Sequence, residues 1–117
     1  MKEVIAFIRS ERWQATRDAL YAMGVEDLVQ HRVLGRGRQR GLRYLRRASG
    51  AGAGDMLFLP KRMIVCLVAD QQVEAVVEAI IKVNQTGNYG DGKIFVRTLD
   101  AVEGVETQPA QTVIFAV

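Results

Sequence analysis

The chain has 117 residues, of which 49% are hydrophobic, with a mean hydropathy of +0.02. That composition describes an ordinary soluble globular chain, long enough for one domain over residues 1–117 and small enough to gain from oligomerisation. The net charge of +3 is unevenly placed, because seven of the twelve arginines lie between Arg32 and Arg47 and no Lys or Arg follows Arg97. This cluster has no interleaved Phe or Trp and only Tyr44, so it offers little for bases to stack on; anionic small ligands or an acidic protein surface fit it better. A single cysteine, Cys66, excludes an internal disulfide, and the early Glu3 with its short apolar run excludes a signal peptide or membrane span at the N-terminus. The expected location is the cytoplasm.

In chain order, Lys2 to Ile8 reads as a central strand, nearly continuously apolar. Ser10 can cap a following helix that runs to Met23, with Trp13, Thr16, Leu20 and Met23 at helical spacing and Gly24 as its stop. Leu28 to Leu34 reads as a second strand, and its lone His31 has no partner at metal-ligand spacing, which makes it structural. From Gly35 to Asp55 six glycines and six arginines replace any periodic pattern, which predicts a long mobile loop of functional character. Pro60 marks its end, and Met63 to Val68 reads as a buried strand holding Cys66. Asp70 can cap a second helix whose apolar face is Val73, Val76, Val77 and Ile80, with Gln72, Glu74, Glu78 and Lys82 solvated. A strand over Lys93 to Leu99 follows, and Thr112 to Val117 regains strand character, an end that should pair with a sheet or a neighbouring subunit. The order β-α-β, long loop, β-α-β is the split βαβ, ferredoxin-like arrangement of the α+β class.

Between the second helix and its strand stands Asn84-Gln85-Thr86-Gly87-Asn88-Tyr89-Gly90-Asp91-Gly92-Lys93-Ile94-Phe95-Val96. Gly87, Gly90 and Gly92 allow tight turns and present backbone N–H groups without Cβ atoms in the way, and Lys93 adds a positive charge: a phosphate cradle in outline. The spacing Gly87 to Lys93 fits G-x-x-x-x-G-K, yet Ile94 replaces the Mg²⁺-binding Ser/Thr and the helix precedes the glycines, so this is not a Walker motif. A plain helix-to-strand turn is the alternative reading of the same spacing. Catalysis has no support in the residues, which include no nucleophile paired with a base and no metal-ligand cluster.

Thr86 to Val96 resembles the TG-x-x-GDGKIFV signature of the PII signal-transduction family, trimeric sensors of nucleotide and 2-oxoglutarate. Gly35-Arg36-Gly37-Arg38-Gln39-Arg40-Gly41 is similar to the way that family opens its T-loop, and Phe58-Leu59-Pro60-Lys61 to the way it closes it. The resemblance implies a trimer of ferredoxin-like βαββαβ domains with a T-loop over residues 36–58 and a C-terminal tail over 100–117. It implies a cleft for ATP or ADP formed by Gly35, Gly37, Arg38, Gln39, Gly90, Asp91, Gly92 and Lys93. Gln39 corresponds to the residue that helps coordinate Mg²⁺ and 2-oxoglutarate, and Lys61 to the lysine that pairs with a 2-oxoglutarate carboxylate. Partner contacts would fall on loop residues Arg40, Arg43, Tyr44, Arg46, Arg47 and Ser49. No prosthetic group and no membrane insertion are implied.

Two regions depart from the family pattern. Gly104 and Glu106 stand where its tail carries two phosphate-gripping arginines, a loss of cations worth about a few kcal/mol beside a triphosphate at an effective dielectric near ~20. The loop lacks the tyrosine that some bacterial members have uridylylated, Tyr44 lying too early, and Ser49 reads as a flexible loop serine more than as a modification site. Met1 to Ala6, Val33 to Gly37, Pro60 to Met63 and Val83 to Gly87 look like the nitrogenase-associated PII proteins of the second type. The resemblance therefore implies a regulator, not an enzyme, acting on nitrogenase as a homotrimer or mixed with a paralogue. Control of an ammonium transporter or another enzyme is one alternative, and an arginine-loop nucleic-acid-binding module another.

Overall fold

The computed structural model describes residues 1–35 and 59–105, and the backbone of 113–115. The pleat of strand β1 (Lys2–Arg9) turns Val4, Ala6 and Ile8, all buried, toward the core. Strand β3 (Leu59–Val68) does the same with Ile64, Cys66 and Val68. These two pair antiparallel at the centre of the sheet, with β2 (Leu28–Gly35) flanking β3 and β4 (Gly92–Thr98) flanking β1. The strand order β2-β3-β1-β4 is that of the expected ferredoxin-like α+β fold.

Helices α1 (Trp13–Ala22) and α2 (Val73–Asn84) cover one face of this sheet. Leu20, Val76 and Ile80, spaced one turn apart on their helices, close the core with Val25. The polar positions foreseen for α2, Glu74, Glu78 and Lys82, are exposed. Burial pushes the Cys66 thiol up to about 11, so it is a core side chain rather than a reactive one.

Both helices begin differently from expectation. Ser10–Arg12 and Asp70–Gln72 form single 3₁₀ turns, and no side chain caps either helix. The Asp70 carboxylate accepts instead from the Met1 amino group at 2.8 Å, which holds it below the usual carboxylate range. At Asp70, contact with the Met1 amino group thus takes the place of local capping. Strand β3 also starts earlier than its apolar run, taking in Pro60, Lys61 and Arg62, because pairing with β2 continues to Gly35 opposite Leu59. The tail's strand β6 (Val113–Phe115) pairs antiparallel with β5 (Ala101–Glu103) in a separate two-stranded sheet, as its apolar character required.

The other face of the main sheet carries no helix among the described residues. Ile5, Phe7, Met63, Val65 and Phe95 lie on it, half-buried or exposed, with Phe7 and Phe95 edge to face at 6.2 Å.

Candidate anion-binding site

The segment joining α2 to β4 is held by its own side chains. Asp91 accepts from the Thr86 backbone N–H at 2.6 Å, the Gly87 N–H at 3.0 Å and the Thr86 hydroxyl, while that hydroxyl oxygen accepts from Asn88 N–H at 3.3 Å. These donors, the Thr86 hydroxyl first, hold the Asp91 carboxyl below its ordinary range. Gly90 has φ +96° and Gly92 φ +136°. At Gly92 a Cβ would stand 2.1 Å from the Phe7 carbonyl oxygen, so only glycine lets the loop rejoin the sheet there.

With the Thr86 and Gly87 N–H groups turned inward on Asp91, the loop presents the Tyr89 and Gly90 carbonyl oxygens to two cations. Arg9, the last residue of β1, donates from Nε to Gly90 O at 3.1 Å and from Nη2 to Tyr89 O at 3.0 Å, and stands 3.5 Å from Asp91 Oδ1. Lys61, opposite Arg9 on β3, donates from Nζ to the same Gly90 oxygen at 2.6 Å. Burial, and then the Arg9 charge, lower the Lys61 pKa, with Glu11 and Asp91 opposing. Gly35 belongs to the cluster because a Cβ there would lie 3.3 Å from Lys61 Cγ. The lysine stem passes where a side chain would otherwise stand.

Of the residues assigned from sequence, Gly35, Lys61, Gly90 and Asp91 are brought together at one end of the sheet, with Gly92 adjoining. Lys93 is exposed on β4 opposite Phe7 and makes no hydrogen bond to the loop among the described residues. Asp91 serves as a clasp on the loop itself. Gly37, Arg38, Gln39, Arg40, Arg43, Tyr44, Arg46, Arg47 and Ser49 lie outside the described residues, as does Glu106. Sequence reading missed Arg9, whose only signal was a charge ending an apolar strand.

A second polar contact ties the loop's root to the other helix. Asn84, buried, donates from Nδ2 to Thr16 Oγ1 at 3.0 Å and to Ile80 O at 2.9 Å, while Thr16 donates to Arg12 O at 2.7 Å. Among the described residues no group of three or more His, Cys, Asp or Glu side chains could hold a metal, and no helix is long and apolar enough to cross a membrane.

The family model described as nitrogen regulatory protein P-II covers residues 1–109. The chain belongs to the P-II family. The nitrogen fixation nifHD region GlnB-like protein 2 of Methanothermobacter marburgensis is 44% identical over 113 residues, spanning 92% of this chain and 93% of the relative. The protein of the same description from Methanococcus maripaludis is 40% identical over 113 residues with the same coverage. The nitrogen regulatory protein P-II of Cereibacter sphaeroides is 39% identical over 108 residues, covering 92% and 93%. The similarity to second-type nifHD-region proteins agrees with the subgroup expected from Met1 to Ala6 and Val83 to Gly87.

Proposed function

We propose that this P-II protein is a regulatory sensor of adenine nucleotide and 2-oxoglutarate that controls nitrogen metabolism, nitrogenase first, by docking the loop of residues 36–58 on a target. The observation that carries this reading is the convergence of Arg9 and Lys61 on the Gly90 carbonyl. Two cations in contact with one loop, one of them partly stripped of water, leave positive charge that a bound anion would neutralise. The residues present therefore fit an anionic ligand. Lys61 would pair with a 2-oxoglutarate carboxylate, Lys93 and the glycine loop would hold nucleotide phosphates, and Gly37, Arg38 and Gln39 would complete the site, with Gln39 at Mg²⁺.

A sensor of this kind needs differential affinity rather than chemistry: ATP with 2-oxoglutarate favours one loop conformation and ADP another. The open apolar sheet face around Phe7, Phe95 and Val65 supports assembly into a trimer, homomeric or mixed with a paralogue, in the cytoplasm. The names of the second-type nifHD-region relatives favour nitrogenase over an ammonium transporter as target. Gly104 and Glu106 weaken phosphate binding, so the nucleotide affinity should be modest.

Calorimetry with ATP, ADP and AMP, with and without Mg²⁺ and 2-oxoglutarate, tests the reading. The expected result is 2-oxoglutarate binding only in the presence of Mg-ATP, lost in Lys61→Ala while nucleotide binding persists. A folded protein that binds neither ligand overturns it.

A further inference from the structure

A second cationic cluster lies on the helix-bearing side of β2 and β3, beside α1 and apart from the glycine loop. Arg32 and Arg62 are direct cross-strand partners, on the side of the sheet that buries Ile64 and Cys66. The Arg62 guanidinium carbon lies 5.9 Å from the centre of the Trp13 ring, and that of Arg17 lies 6.0 Å away. Arg62 Nη1 donates to Gln30 Oε1 at 2.6 Å, and Arg62 Nε is buried without a partner among the described residues. Leu34, two positions along β2 from Arg32 and on the same side, is 70% exposed.

Like charges directly opposite on neighbouring strands destabilise a sheet. The only carboxylate paired with this group among the described residues is Asp18, 3.3 Å from Arg17, and that pair is largely solvated. Among the described residues, therefore, no carboxylate pairs with Arg32 or Arg62, and this cationic pair lies next to the exposed Leu34, at the point where β2 ends at Gly35 and the chain returns at Leu59. We propose that Arg17, Arg32, Arg62 and Trp13 form a docking surface for an acidic, partly apolar segment of the regulated protein, adjoining the loop. This rests on the regulatory reading above.

Carboxylates suit the cluster because guanidinium groups accept them in paired hydrogen bonds. Trp13 and Leu34 add apolar contact area of the kind that anchors protein interfaces. A phosphodiester strand would leave the exposed Leu34 uncovered.

Trp13 is the only tryptophan in the chain, so its emission reports on this surface. The test titrates the intact protein, at low ionic strength, with a synthetic Asp/Glu-rich peptide containing leucine, with the same peptide carrying Asn and Gln instead, and with oligothymidylate. The expected result is a saturable change in Trp13 emission with the acidic peptide alone, weakened about tenfold or more in Arg32→Gln/Arg62→Gln, which keeps every loop arginine. Arg32→Glu, a change at an exposed position, gives the same weakening and answers if the double variant does not fold.

Unchanged Trp13 emission, or equal affinity in these variants, overturns the proposal. So does oligothymidylate binding that the same variants abolish, which would assign the surface to nucleic acid. If the parent binds Mg-ATP and 2-oxoglutarate but not the peptide, only the docking surface fails. If the peptide binds with the expected variant dependence but the ligands do not, the sensor reading fails instead.

Discussion

Val4, Ala6, Ile8 and Leu20 in the first half of the fold correspond to Ile64, Cys66, Val68 and Ile80 in the second, and every one is buried. Each half runs from a central strand through a 3₁₀ turn into a helix, Ser10–Arg12 into Trp13–Ala22 and Asp70–Gln72 into Val73–Asn84. The halves part company where the helices end. The first exits through a tight turn, with Gly24 N–H on Tyr21 O at 3.0 Å and Val25 N–H on Leu20 O at 3.1 Å, directly into edge strand β2. The second exits through Gln85 to Asp91, a loop whose N–H groups are bonded by its own side chains and whose carbonyls meet Arg9 and Lys61. One packing scheme serves both halves, and the candidate ligand chemistry resides in the one connection that differs.

The glycines of the two exits give the sharpest test of that contrast. Gly24 has φ +83°, and a Cβ added there would meet nothing within 4 Å, so Gly24→Ala should cost only the left-handed backbone penalty of about 1 kcal/mol. Gly92→Ala adds a collision with the Phe7 carbonyl and should cost about 3 kcal/mol or more, lowering the denaturant midpoint far further than Gly24→Ala. Equal midpoints in the two variants would show that the loop's return to the sheet is not constrained as described.

The helices offer an intermediate effect. Thr16 stands where the second half has Val76, and its hydroxyl accepts from Asn84 at the root of the loop. Thr16→Val makes the halves alike at that position and should cost about 1–2 kcal/mol, because Asn84 loses a buried partner. Asn84→Ala in the same background should then cost less than it does alone, a coupling that a double-mutant cycle measures.

The smallest effect belongs to the clasp. Asp91→Asn should leave global stability nearly unchanged while hydrogen exchange at Thr86 and Gly87 speeds up several-fold. Because hydrogen bonding depresses the Asp91 pKa, its contribution is complete above the carboxylate's ordinary value near 3.8 and is lost as pH falls through the lower native value. Loop amides followed by NMR from pH 6 downward should therefore hold their shifts until well into the acid range.

Much of the molecule could be read directly from the chain. The near-continuous apolar runs of Lys2 to Ile8 and Met63 to Val68, and helical spacing in Val73 to Ile80, marked the strands, the helices and their order, whereas which side of each strand is buried was decided by the fold. Gly87, Gly90 and Gly92 marked the loop, and with Gly35 and Lys61 they supplied most of the described cluster. Local capping was misread at Ser10 and Asp70, since whether a side chain caps a helix depends on competing partners, and Asp70 finds the Met1 amino group from far along the chain.

By itself the sequence determined the ferredoxin-like order, the apolar face of the second helix, the family and the position of the glycine loop, all of which rest on periodicity or on contiguous residue types. The tertiary structure decided which groups meet. Arg9, Lys61 and Gly90 are distant in the chain and converge only because β1 and β3 pair with Arg9 opposite Lys61. Arg32 and Arg62 face each other only through the β2–β3 register. Strand register is set by the packing of whole faces rather than by any local signal, so these charge clusters are properties of the folded chain.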